Sequence, residues 1–205
     1  MVSIGFALQL GLRYRARPRP ATGAWLFGLV CYAVGVGCQA LAELGLFGAA
    51  LYRVWYLTGA FLVAAFLGAG SLYLAAPPHL ASWAMRGLAW AAILVAPAVM
   101  TAPLDLARVD PHLLTGDGFP NYVRLLTPLF NAFGTLALVG VALWSAARLT
   151  RGGPSRRLWS VGLIALGSIV AASGATLLWL GVPGGFYLGQ LVGVALMWLG
   201  FGLAR

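Results

Sequence analysis

From Ala21 to Ala42 the chain carries no charged residue, and apolar runs of similar length recur along most of it. A helix rising about 1.5 Å per residue needs about 20 such residues to cross a hydrocarbon core of roughly 30 Å. In lipid, each backbone N–H and C=O must find its partner inside the protein, and a helix satisfies them within one segment. The runs therefore point to an all-α fold, a polytopic transmembrane helix bundle. Composition agrees. Of 205 residues, 61% are hydrophobic and 8% charged, with a mean hydropathy of +0.92, whereas a soluble domain carries roughly 25% charged residues. No hydrophilic stretch is long enough to fold separately, so residues 1–205 read as a single transmembrane helical domain.

Orientation follows from Arg13-Tyr-Arg-Ala-Arg-Pro-Arg-Pro20, the densest charge in the chain. A short basic loop stays cytoplasmic and sets the direction of later helices. The net charge of +9 comes from thirteen arginines and no lysine. Their places at helix ends suit orientation and anionic lipid headgroups, and no folded basic face exists to bind nucleic acid. Without lysine there is no retinal Schiff base. Cys31 and Cys38 lie two turns apart on one expected helix. That separation, roughly 10 Å, is too long for a disulfide, and they read as small packing residues.

Alternating across the bilayer, the chain gives seven helices, with the N-terminus outside and the C-terminus inside. Residues 1–12 form an unusually short first helix or one cut by a late start; if it does not span, the count is six and the N-terminus lies inside. The second helix runs from about Ala21 to Ala42. The third runs from near Tyr52-Arg53 to about Ala76, where Pro77-Pro78 stop it. Pro97 is expected to kink the fourth helix in mid-membrane. The longest loop, Leu104–Tyr122, lies outside and carries Asp105, Asp110, His112 and Asp117. Their spacing matches neither an EF-hand nor a zinc motif, so a solvated loop is the plain reading. The fifth helix spans about Arg124–Arg148, the sixth about Leu158–Leu180, and the turn Gly181–Gly185 leads into the seventh. Small residues, among them Gly167, Ser168, Gly189 and Gly193, suggest that helices six and seven pair closely; such faces also offer a route to a homo-oligomer.

Ionisable groups at the helix ends are where a site would be sought. Arg53, Arg124, Glu43, Asn131, Tyr56, Gln190 and Tyr187 fall in the outer halves of their helices. Two arginines suit a carboxylate or phosphate, because the guanidinium fork meets it in two contacts. In this reading Arg53 and Arg124 hold an anionic group, Glu43 orients an arginine, and the others donate neutral hydrogen bonds. The plain alternative is an ion pair of Glu43 with Arg53 or Arg124 that ties helix ends together. His79 and His112 fall on opposite sides, so no shared metal or haem site is expected, and no nucleophile–base–orienter set emerges. No cofactor is implied.

The chain thus reads as a non-catalytic protein of the cytoplasmic (inner) membrane, binding an amphiphilic or anionic small ligand from the outer side. A small-solute or lipid transporter and a structural subunit of a membrane complex are the alternatives, with an intramembrane enzyme the remotest of them. The expected partners are membrane lipids and a second membrane protein. In Tyr52-Arg53-Val-Trp-Tyr56, Gly189-Gln-Leu-Val-Gly193 and its topology, the chain resembles uncharacterised bacterial seven-helix membrane proteins and, loosely, the seven-helix sensory region of some histidine kinases. That resemblance implies a sensory module. With no output domain after Arg205, its signal would pass to a partner.

Overall fold

The computed structural model describes residues 2–149, 159–160, 162–164, 166–171 and 183–203, and among them every regular element is helical. Helix α1 spans Val2–Ala16. It does not stop at Leu12, where the apolar run ends, because Arg and Ala are good helix formers and carry it on. Pro18 and Pro20 then end it, since proline lacks an N–H and disfavours helix in the residue before it. Most of the expected basic loop is therefore helix. Its 15 residues rise only about 22 Å.

Helix α2, Pro20–Glu43, opens on Pro20, whose missing N–H would have had no partner there in any case. It closes with Gly45 at φ +85°, where Gly45 N–H bonds Ala42 O and Leu46 N–H bonds Leu41 O, both at 3.0 Å. This cap needs a left-handed residue, which glycine supplies without strain. Helix α3, Ala49–Ala75, contains a π segment at Tyr56–Leu62. Helix α4 covers Pro78–Thr101. A turn at Asn121–Arg124 leads into α5, Leu126–Leu149. Helical residues 162–164 and 166–171 form α6, and Pro183–Leu203 form α7. Of the expected turn Gly181–Gly185, Pro183, Gly184 and Gly185 are instead the first residues of α7, proline suiting a helix start; residues 181–182 and the second half of the expected sixth helix lie outside the described residues.

Among the described residues, four helices are long and apolar enough to cross a bilayer: Pro20–Glu43, Ala49–Ala75, Pro78–Thr101 and Asn121–Ser145. They give the chain the make-up of a multi-pass membrane protein. Pro97 lies in α4 close to its end at Thr101 rather than in mid-span. Trp90, Ile93 and Leu94 on α4 are largely exposed, as side chains facing lipid must be.

Two apolar clusters hold the bundle. One joins Tyr52, Phe61 and Ala65 of α3 to Val99 of α4, Phe119 of the long loop and Phe130 of α5. The other joins Phe6 and Leu10 of α1, Trp25 and Leu29 of α2, Leu67 of α3, Leu138 of α5, and Val194 and Met197 of α7. Helices α3 and α5 run parallel. Tyr56 meets Thr127, Phe61 meets Phe130, and Gly68 meets Gly134, in the same order along both. At the last crossing a Cβ on Gly134 would strike the Ala64 backbone, so the helices touch main chain to main chain. Helices α6 and α7 also meet through small residues. A Cβ on Gly193 would lie 2.6 Å from Gly167 O, and the buried Ser160 donates to Gly200 O at 2.7 Å. Cys31 and Cys38 are buried free thiols.

Candidate functional site beneath the long loop

The ends of α2, α3, α4 and α5 nearest the long loop gather around it, and the loop is packed rather than merely solvated. Its acidic groups point outward as expected, but Val109, Leu114 and Phe119 are at most 5% exposed. The reason is in its own sequence, where apolar residues alternate with the charged ones and find an aromatic bed on α3. The ring of Phe119 stacks on Tyr52 at 5.1 Å and on Tyr56 at 4.4 Å between centroids. Two glycines make the fit. A Cβ on Gly116 would come within 3.0 Å of the Tyr56 ring, and one on Gly118 within 2.6 Å of Val109.

Polar bonds fasten what the rings place. Tyr52, with no exposed surface, donates its hydroxyl hydrogen to Thr115 O and accepts from Gly118 N–H. Tyr56 shares a 2.8 Å hydrogen bond with Thr127 Oγ1 of α5. Asp105 N–H donates to Gly118 O at 3.0 Å, closing the base of the loop. Thr115 Oγ1 donates to Asp117 Oδ2 at 2.7 Å, which fixes that carboxylate. The other oxygen, Oδ1, receives Arg124 Nη2 at 2.8 Å, and both side chains remain almost half exposed.

The structure sends the two candidate arginines to different partners. Arg53 Nη1 donates to Val99 O at 2.6 Å and Nη2 to Ala102 O at 2.7 Å. An unbroken helix would satisfy Val99 O with the N–H of residue 103, but residue 103 is proline and has none. Arg53 supplies the missing donor, and its charge also complements the negative end of α4. Glu43, at the end of α2, meets His112 Nδ1 at 3.1 Å. This hydrogen bond, with the charges of Glu43 and Asp110 behind it, raises the pKa of His112 above its ordinary 6.5.

Of the remaining candidates, Asn131 is half-buried on α5, one turn beyond Thr127 on the same face. Gln190 is half-buried on α7, whose described contacts lie with α1, α6 and the second cluster, and these do not bring it to Arg124. The side chain of Tyr187 lies outside the described residues.

Sequence reasoning missed Tyr52, Asp117 and Thr127 as site members, along with the π segment beneath them. Thr58-Gly59 was the available signal. Thr58 Oγ1 bonds back to Val54 O at 2.7 Å, a habit that bends helices, and Gly59 lies against Gly35 of α2. Single π turns concentrate at functional sites. Among the described residues, no group of three or more His, Cys, Asp or Glu is placed to hold a metal. Chemically, the site is one arginine held by an internal carboxylate under a small folded lid. No protein-family model, curated protein or solved structure matches the chain.

Proposed function

We propose that this protein is a non-catalytic, receptor-like module of the cytoplasmic membrane that binds an anionic amphiphile at its outer face. It has seven helices, the N-terminus outside and the arginine-rich segments inside. One observation carries the reading: the half-exposed Arg124–Asp117 pair beneath the loop 104–120. A carboxylate from the chain itself sits on the arginine at the point where a ligand's carboxylate or phosphate would sit. The aromatic bed of Tyr52, Tyr56 and Phe119 lies beside it and offers apolar contact to the ligand's tail. Arg53 takes no part in contacting the ligand here. It positions α4, while Arg124 receives the anion, and Asn131 and Tyr56 border the path inward. Ligand entry exchanges Asp117 for the ligand's own charge and lifts the loop from the π segment, which gives binding a conformational consequence for a partner to sense.

Decyl phosphate and its neutral counterpart decyl maltoside are suitable probes. Asp117→Asn should raise decyl phosphate affinity a few-fold, in line with the roughly 0.2–1 kcal/mol of a half-exposed ion pair. Arg124→Gln should abolish the preference for the anion, and the maltoside should be indifferent to both changes. If folded Asp117→Asn protein takes up no decyl phosphate, the loop is a fastener and the chain is a structural subunit.

A further inference from the structure

At the opposite end of the bundle a groove of about 260 Å³ runs between α1, α2, α3 and α4, lined by Tyr14, Gly23, Phe27, Phe66, Tyr73 and Met85 among others. We propose that this groove holds one acyl chain of an anionic phospholipid, with Arg15, Arg17 and Arg19 meeting its phosphate. The walls are built of side chains that an acyl chain would contact. Phe27 and Phe66 pack at 4.5 Å between centroids. Tyr14 lies over Gly23, where a Cβ would come within 3.1 Å of its ring. Tyr73 reaches Ser82 Oγ at 3.5 Å and links α3 to α4 beside the groove.

Charge complementarity names the occupant. Tyr14 and Pro20 both line the groove, and the segment joining them carries Arg15, Arg17 and Arg19, all exposed. Two other arginines at this end already lie on rings: Arg13 on Phe201 at 4.3 Å and Arg86 on Trp83 at 4.0 Å. The three exposed ones therefore crown an apolar slot, the arrangement an anionic headgroup over a buried chain requires. A free phosphate would use the arginines and leave the groove empty.

The test is native mass spectrometry of the full chain in detergent, titrated with phosphatidylglycerol or phosphatidylcholine of identical acyl chains, with glycerophosphoglycerol as a chain-free headgroup. Wild-type protein should retain phosphatidylglycerol in preference by up to roughly a hundredfold at low salt, the sum of three surface arginines. That preference should shrink as salt screens it. The triple change Arg15→Gln, Arg17→Gln, Arg19→Gln should equalise the two lipids. Phe27→Gln, on a side chain 45% exposed and so tolerant of exchange, should weaken both lipids while keeping the preference. An unchanged preference in the triple variant would overturn the proposal. So would glycerophosphoglycerol binding as well as the lipid, which would leave only an anion site.

Discussion

One helix pair, α3 with α5, is built in two ways along its length. In the half nearest the long loop the helices are separated by rings and hydroxyls: Tyr56 on Thr127, Phe61 on Phe130, and Phe119 of the loop stacked on Tyr56. Further in, at Gly68 and Gly134, nothing separates them and backbone meets backbone. The π segment at Tyr56–Leu62 lies in the splayed half. The difference teaches how a bundle with few charges can be locked at one level and joined by exchangeable side chains at another. Main-chain contact leaves no freedom to repack, whereas a layer of side chains can be rearranged or replaced. In the proposed reading the glycine crossing is the fulcrum, and the aromatic half, with the loop over it, is the part a ligand moves.

Breaking the fulcrum should have the largest effect. A side chain at Gly134 must displace the backbone of α3, so Gly134→Leu should cost more than the roughly 1–3 kcal/mol of ordinary overpacking, read as lost thermal stability in detergent. Gly140 on the same helix meets nothing within 4 Å. Gly140→Ala should stabilise by about 0.5–1 kcal/mol through helix propensity, and equal effects at both glycines would erase the distinction. Next in size is Arg53→Met, which leaves the carbonyls of Val99 and Ala102 without their charged donor. A loss of about 1.5–3 kcal/mol is expected, and Arg53→Lys should restore part of it. Tyr52→Phe keeps the stacked ring but strips Thr115 O and Gly118 N–H of their partner. About 1–3 kcal/mol should be lost, seen as faster hydrogen exchange confined to the loop 104–120. Exchange rising equally in α5 would mean that the two halves do not separate.

The positions of the helices were more legible than the site, and the Gly68–Gly134 crossing was not foreseen. Apolar runs and prolines placed α2, α3 and α4 to within a few residues, because in a bilayer length and hydropathy leave the backbone little choice. Small residues likewise foretold the contact of α6 with α7 at Gly167 and Gly193. The half under the loop depended on pairings that spacing does not reveal. Arg53 looked like an anion binder because sequence gives no sign that Pro103, fifty residues on, strips Val99 O of its donor. Asp117 looked like one more solvated acid until the loop folded and set it on Arg124. Residues between such distant segments are chosen by tertiary packing, and only Thr58-Gly59 left a local trace.

The smallest effect sharpens the comparison at the edge of the lid. His112 on the loop and Glu43 at the end of α2 are exposed, so their contact ties the lid only weakly. Its sign is nonetheless fixed. Glu43 raises the pKa of His112 above 6.5 in the folded protein, so protonation favours the closed loop. The contribution is fully present below the unfolded value of about 6.5 and fades as pH rises through the higher folded value. Loop amides around His112 should therefore exchange slightly faster near pH 8 than near pH 6, after correction for intrinsic rates, roughly the span over which a histidine titrates. His112→Gln should flatten that difference, while the amides at the Gly68–Gly134 crossing should show none in either protein. A pH response that survives in His112→Gln would place the sensing group elsewhere on the lid and leave the Glu43 contact without a role in closing it.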